Sequence, residues 1–223
     1  MALTEGMTAL RVTMTSKSNP RVGIVDYQAG NLHSIANAFE HLGAKVRPVH
    51  RNDDVDGCSH LVLPGVGAFG FCAERLEHSG LTGVVKAWAL VLRRPLLGIC
   101  VGMQLLADGS EESPGAPGLG WIGGQVRVLQ RGTGTVVRVP HVGWNTVTFT
   151  RDYGEFRKRD EADCYFDHSF AYTDPSADST LATCQHGICF SAAVQRDNIV
   201  AVQFHPEKSQ TAGMRFLRGF LAS

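Results

Sequence analysis

The sequence predicts an α/β protein: one domain on a mostly parallel central sheet with helices on both faces. Three observations carry this. Short runs of branched apolar residues alternate with segments of helical periodicity through the first hundred positions, the rhythm of strand–helix–strand units. These runs are apolar throughout rather than alternating with polar residues, as strands buried on both faces are. No internal repeat, low-complexity block or clear linker divides the 223 residues.

Taken in order, residues 1–20 are Ser/Thr-rich and lack a continuous apolar core, so they are read as a flexible leader and not as a secretory signal. The domain spans residues 21–223. Arg21–Asp26 is a β-branched run suited to a buried strand. Gly30-Asn31 turns into a helix with Leu32, Ile35, Ala36, Phe39 and Leu42 on one face, closed by Gly43. Lys45–Val49 and His60–Leu63 are further strands, helices fill 71–92, and Pro95–Ile99 is a fourth strand running into Cys100. Residues 108–120, rich in Gly, Pro and acidic side chains, are a loop. Shorter β-type runs follow at Gln125–Gln130, Thr135–Val139, Val147–Thr150, Cys164–Phe170, Cys189–Gln195 and Ile199–Phe204. From Ser209, a closing helix sets Met214, Leu217 and Leu221 on one side.

Composition narrows the function. Lys plus Arg and Asp plus Glu both number 21, so no net field attracts nucleic acid or an anionic membrane. No apolar run reaches the roughly 20 residues of a membrane span. The six cysteines form no C-x-x-C pair, which argues against a zinc site and for reduced thiols in a cytoplasmic protein.

Gly98-Ile99-Cys100-Val101-Gly102 follows a strand and precedes a helix-like Met103–Leu106. Flanking glycines permit the sharp turn that lifts a nucleophile out of a sheet, and a helix N-terminus favours a thiolate. Taken alone, the pentapeptide fits a buried strand cysteine equally well. Gly187-Ile188-Cys189 repeats its tripeptide without the second glycine. A thiolate needs a base, and the base an orienting acid. His205-Pro206-Glu207, directly after a strand, supplies both, with Pro206 fixing the backbone between them. Pro64-Gly65-Val66-Gly67 follows its own strand in the same way, so its backbone N–H groups, with that of Val101, are candidate oxyanion donors.

These pieces, in this order, resemble the class I (triad) glutamine amidotransferases, and span almost everything from residue 21 onward. Leu63–Phe69, Gly98–Leu106, Tyr165-Phe166 with His168-Ser169, and Gln203–Ser209 carry the likeness. Pro140–Asn145 and Phe204–Ser209 are similar, more narrowly, to the glutaminase subunits of imidazole glycerol phosphate synthases.

The resemblance implies Cys100 as nucleophile, His205 as proton shuttle and Glu207 as its orienting acid. Gly65, Val66, Gly67 and Val101 would form an oxyanion hole whose turn rearranges before it donates. Gln104, Glu112, His168 and Ser169 would hold L-glutamine. Asn31, Trp144, Asn145 and Lys208 would face a TIM-barrel synthase subunit that receives ammonia, in a heterodimer. No cofactor and no metal are implied.

The chain departs from the family's pattern at Asp167, at Phe170 and at Gln28-Ala29, where a glycine is usual after Asp26-Tyr27. Gly118–Trp121 is similar to paralogues that feed surface-polysaccharide synthesis, so a different acceptor stays open. A cysteine hydrolase on a similar sheet would share the elbow but would not require Trp144-Asn145 and Lys208-Ser209.

Overall fold

The computed structural model describes residues 19–129, 137–173 and 178–223; the leader expected over 1–20 lies outside them except for its last two positions. The branched run Arg21–Val25 forms β1, and Asn31 caps the next helix, its side chain accepting the Ser34 N–H at 3.3 Å. That helix, α1, spans Leu32–His41 and buries Ile35, Ala38 and Phe39, and Gly43 follows in the left-handed region at φ +82°. The strand β2 (Lys45–Val49), the strand β3 (His60–Leu63) and the helices α2 (Phe69–His78) and α3 (Thr82–Lys86) come next. One π-helical turn, Ala87–Val91, extends α3. The strand β4 (Leu96–Ile99) then leads into α4 (Val101–Gln104).

The second half is mostly strand: β5 (Gly109–Ser110), β6 (Gln125–Val128), β7 (His141–Phe149), β8 (Glu161–His168), β9 (Phe170–Tyr172), β10 (Thr180–His186), β11 (Ile188–Arg196) and β12 (Ile199–Val202). The closing helix α5 runs from Gln210 to Leu221 and buries Phe216, Leu217 and Phe220.

Nine strands form one sheet in the order β2-β1-β3-β4-β12-β11-β10-β7-β8. The pairs from β2 to β12 are parallel, and those from β12 to β8 are antiparallel. Every residue of β3, β4 and β12 is buried, as strands covered on both faces must be. The crossovers β1→β2 and β3→β4 step in opposite directions. Right-handed connections therefore put α1 on one face and α2–α3 on the other. Phe220 of α5 meets Phe39 edge-to-face at 6.1 Å between centroids, so α5 shares the face of α1. A second sheet has the strand order β5-β6-β9.

Several sequence expectations change: the expected Val147–Thr150 strand begins at His141, and the 108–120 loop contains β5. Residues 137–139 are not strand, and the rest of the expected Thr135–Val139 run lies outside the described residues. The Cys164–Phe170 run is two strands, β8 and β9, divided at Ser169 and belonging to different sheets. The helix after Cys100 is a single turn.

Candidate active site

Three parallel strands, β3, β4 and β12, end side by side, and the chemistry sits where they end, next to the point at which the strand order reverses between β1 and β3. Beyond β4, Cys100 takes φ +54° and ψ −113°, a conformation that side chains avoid and that throws its sulfur out of the strand line. Its N–H remains tied to Val202 of β12 at 2.8 Å. The turn fits because Gly102 lies against β3: a Cβ there would stand 2.0 Å from the Leu63 carbonyl oxygen.

Beyond β12, His205 precedes a 3-10 turn, Pro206–Lys208, with proline in its first position. That turn swings Glu207 back, and His205 Nδ1 meets Glu207 Oε1 at 2.9 Å with both side chains almost wholly buried. Glu207 Oε2 is buried without a partner. The His205 backbone is held on both sides. Its N–H donates to the Tyr165 carbonyl at 2.9 Å, and its own carbonyl accepts the Ser209 hydroxyl at 2.6 Å. Burial works against charge on the imidazole. The hydrogen bonds and charges of Cys100 and Glu207 outweigh it and raise the His205 pKa to about 10.

Beyond β3, the turn Pro64–Gly67 packs on this elbow, with Tyr27 Oη donating to the Pro64 carbonyl at 2.5 Å. The expected oxyanion donors are engaged elsewhere. Val66 N–H donates to the Ala29 carbonyl at 3.2 Å, and Val101 N–H to the Gly65 carbonyl at 3.4 Å. Gly65 C=O and Val66 N–H belong to one peptide unit. Turning that unit over would release both donors together.

Cys100, His205, Val66, Gly67, Val101, Gln104, Glu112, His168 and Ser169 line one cavity of about 460 Å³, with Asn31, Lys208, Asp167 and Phe170 at its walls. Glu112 Oε2 accepts the Phe69 N–H at 2.8 Å. Gln104 Nε2 donates to the Phe170 carbonyl and to Gln203 Oε1, each at 3.0 Å, and Gln203 Nε2 faces Cys100 Sγ at 3.7 Å. His168 Nδ1 meets the Phe170 carbonyl and its Nε2 meets His141 Nδ1, both at 2.9 Å. A larger cavity, about 700 Å³ between α2, α3 and residues 116–121, contains no cysteine and none of the expected site residues.

Trp144 is about half exposed on β7, edge-on to Tyr165, and Lys208 Nζ lies over the Tyr165 ring at 5.5 Å. The partly buried Asn145 is engaged through its side-chain amide. It meets His141 Nε2 at 3.1 Å and the Gln185 carbonyl at 3.0 Å. Among the described residues, no group of His, Cys, Asp and Glu is arranged to hold a metal, and no helix is long and apolar enough to cross a membrane.

Sequence reasoning missed Gln203, Ser209 and His141. Gln203 was within reach of it: positions 203 and 205 of an extended segment point the same way, so a residue two before the base belongs beside it.

Chemically, a sulfur beside an acid-oriented imidazole at a substrate-sized cavity is equipped for acyl transfer through a thioester. The chain is 44% identical over 216 residues to the imidazole glycerol phosphate synthase subunit HisH of Zymomonas mobilis, covering 93% of this chain and 98% of that one. It is 39% identical to the chloroplastic imidazole glycerol phosphate synthase hisHF of Arabidopsis thaliana, over 96% of this chain and 36% of that longer one. A crystal structure of a glutamine amidotransferase superposes with a TM-score of 0.71 at 21% identity, over 90% of this chain and 97% of that one, a likeness of fold. The sequence pattern of the class-I glutamine amidotransferases matches residues 23–223, and the chain belongs to that family.

Proposed function

We propose that this protein is the glutaminase subunit of an imidazole glycerol phosphate synthase. It hydrolyses L-glutamine to glutamate and ammonia and passes the ammonia to a synthase subunit in histidine biosynthesis. The observation that carries the reading is the buried Cys100–His205–Glu207 arrangement at the ends of β4 and β12. Relatives named for that synthase, alike over nine-tenths of the chain, support the pathway.

The chemistry follows from the groups. Cys100 Sγ attacks the side-chain amide carbon of glutamine, and the oxygen takes up the electron pair. His205 protonates the nitrogen as the C–N bond breaks, leaving a glutamyl thioester and free ammonia. Water then attacks the thioester, His205 takes its proton, and glutamate leaves as the thiol is restored. Glu207 keeps the imidazole in one orientation and offsets its charge. Gln104, Glu112, His168 and Ser169 hold the amino acid in the cavity.

In the present arrangement the oxyanion donors are spent on Ala29 and Gly65. Reversal of the Gly65–Val66 peptide, with Gly65 and Gly67 flanking Val66, would aim Val66 N–H and Val101 N–H at the developing charge. A synthase subunit of TIM-barrel fold, docking as a heterodimer over Trp144, Lys208, Asn31 and the edge at Asn145, would favour that reversal. Ammonia release would then be tied to acceptor binding.

The test is Cys100→Ala in the complex with the synthase subunit. Glutamine-dependent synthesis should fall by several orders of magnitude while synthesis from added ammonium salt persists. Wild-type glutamine-dependent turnover in this variant would make Cys100 structural and end the reading.

A further inference from the structure

We infer that Gln203 is a further residue of the catalytic site, donating a hydrogen bond from its side-chain amide to the sulfur of Cys100. The inference rests on Cys100 being the nucleophile. Gln203 is fully buried, one residue past β12, and nothing in the acyl-transfer scheme above uses it. A fully buried amide is set by its partners, and here the setting runs in one direction. The Phe170 carbonyl only accepts, so the Gln104 atom facing it is Nε2. The same Nε2 faces Gln203, so the Gln203 atom opposite it is the carbonyl oxygen. The amide nitrogen is thereby turned to Cys100 Sγ, at 3.7 Å. The opposite orientation would place two amino groups against each other.

This donor suits the task. An N–H aimed at sulfur favours the thiolate form and fixes the direction from which Sγ approaches the substrate carbonyl. It also makes up for the short α4, whose single turn supplies little field of its own. The donor is anchored through Gln104 to the Phe170 carbonyl, so the wall of the substrate cavity also sets the nucleophile's geometry.

The experiment is alkylation of the full-length chain by iodoacetamide across pH 6 to 10 (roughly the range over which thiols ionise), with the modified peptide identified by mass. This readout needs neither glutamine nor the partner. The variants are Gln203→Met, which keeps the shape and removes the donor, and Gln203→Glu, which keeps the oxygen facing Gln104 and removes the amide nitrogen. In both, Cys100 alkylation near neutral pH should slow about ten- to a hundredfold, the scale of one hydrogen bond to a charged group. Its pH profile should move upward while the melting temperature stays within a few degrees. If Gln203 served only to hold Gln104, Gln203→Glu would alkylate like the wild type, and that result overturns the inference. Unchanged alkylation in Gln203→Met overturns it too. Should wild-type Cys100 react no faster than the other buried cysteines, the nucleophile assignment itself falls.

Discussion

At the scale of single residues, Cys100 occupies a backbone conformation costing on the order of 1–3 kcal/mol, and its neighbours hold it there. Gly102 is the tightest of them, since any Cβ at that position meets the Leu63 carbonyl oxygen at 2.0 Å, a contact that backbone on both sides cannot relieve. Gly102→Ala is therefore expected to separate β3 from α4 and destabilise the chain by about 3 kcal/mol or more. Urea unfolding followed by circular dichroism measures this, and wild-type stability would show the elbow to be looser than its packing implies. The elbow glycines and His-Pro-Glu were legible because tight turns leave a compositional trace. Asn145 was not. The resemblance offers it only as a partner-facing residue, and the hold of His141 and Gln185 on its amide is a pairing across strands that no local pattern reveals.

At the scale of elements, the first half of the sheet was readable because its strands are buried on both faces and so are continuously apolar. The strand β10, Thr180–His186, passed unnoticed. Its Thr, Ala and Cys residues have little bulk, and only pairing with β7 and β11 identifies it. These antiparallel strands carry a histidine cluster. His141 stacks on His186 with centroids 3.9 Å apart and hydrogen-bonds His168, which also feels the charge of His205. Burial, reinforced by the neighbouring histidines, lowers the pKa of His141 to about 3. Burial likewise lowers that of His168 to about 4. Both are neutral in the folded chain at pH values where the unfolded chain protonates them. Their contribution to stability is thus complete above about pH 6.5 and is lost as the pH falls toward 4 and then 3, by about 1.4 kcal/mol per unit per histidine. Urea titrations from pH 7 to pH 4 should show this decline, shallower in His141→Gln. Equal slopes in the two proteins would remove His141 from the explanation.

At the scale of the whole molecule, a parallel half supplies the proposed nucleophile, base and oxyanion turn, and an antiparallel half supplies Trp144, Tyr165 and the histidine wall. The two meet at β12, where His205 is tied to Tyr165 of β8. A surface of Trp144, Tyr165 and Lys208 therefore lies a few bonds from the proposed base, which is the route we propose for control by a docked subunit. Family membership was readable from motifs, while the engaged state of Val66 and Val101 was not, since no side-chain pattern encodes which way a glycine-flanked peptide faces.

The measurement closest to the central claim is glutamate release from L-glutamine by the chain alone, with the histidine-pathway synthase subunit, and with that subunit plus its ribotide acceptor. The isolated chain should be almost inactive, and the full assembly should turn over about 100- to 1,000-fold faster, the usual worth of an aligned oxyanion donor. Lys208→Ala and Trp144→Ala should reduce that stimulation more than they reduce stability. Full activity without a partner would contradict the gating, and stimulation only by a synthase of another pathway would contradict the assigned acceptor.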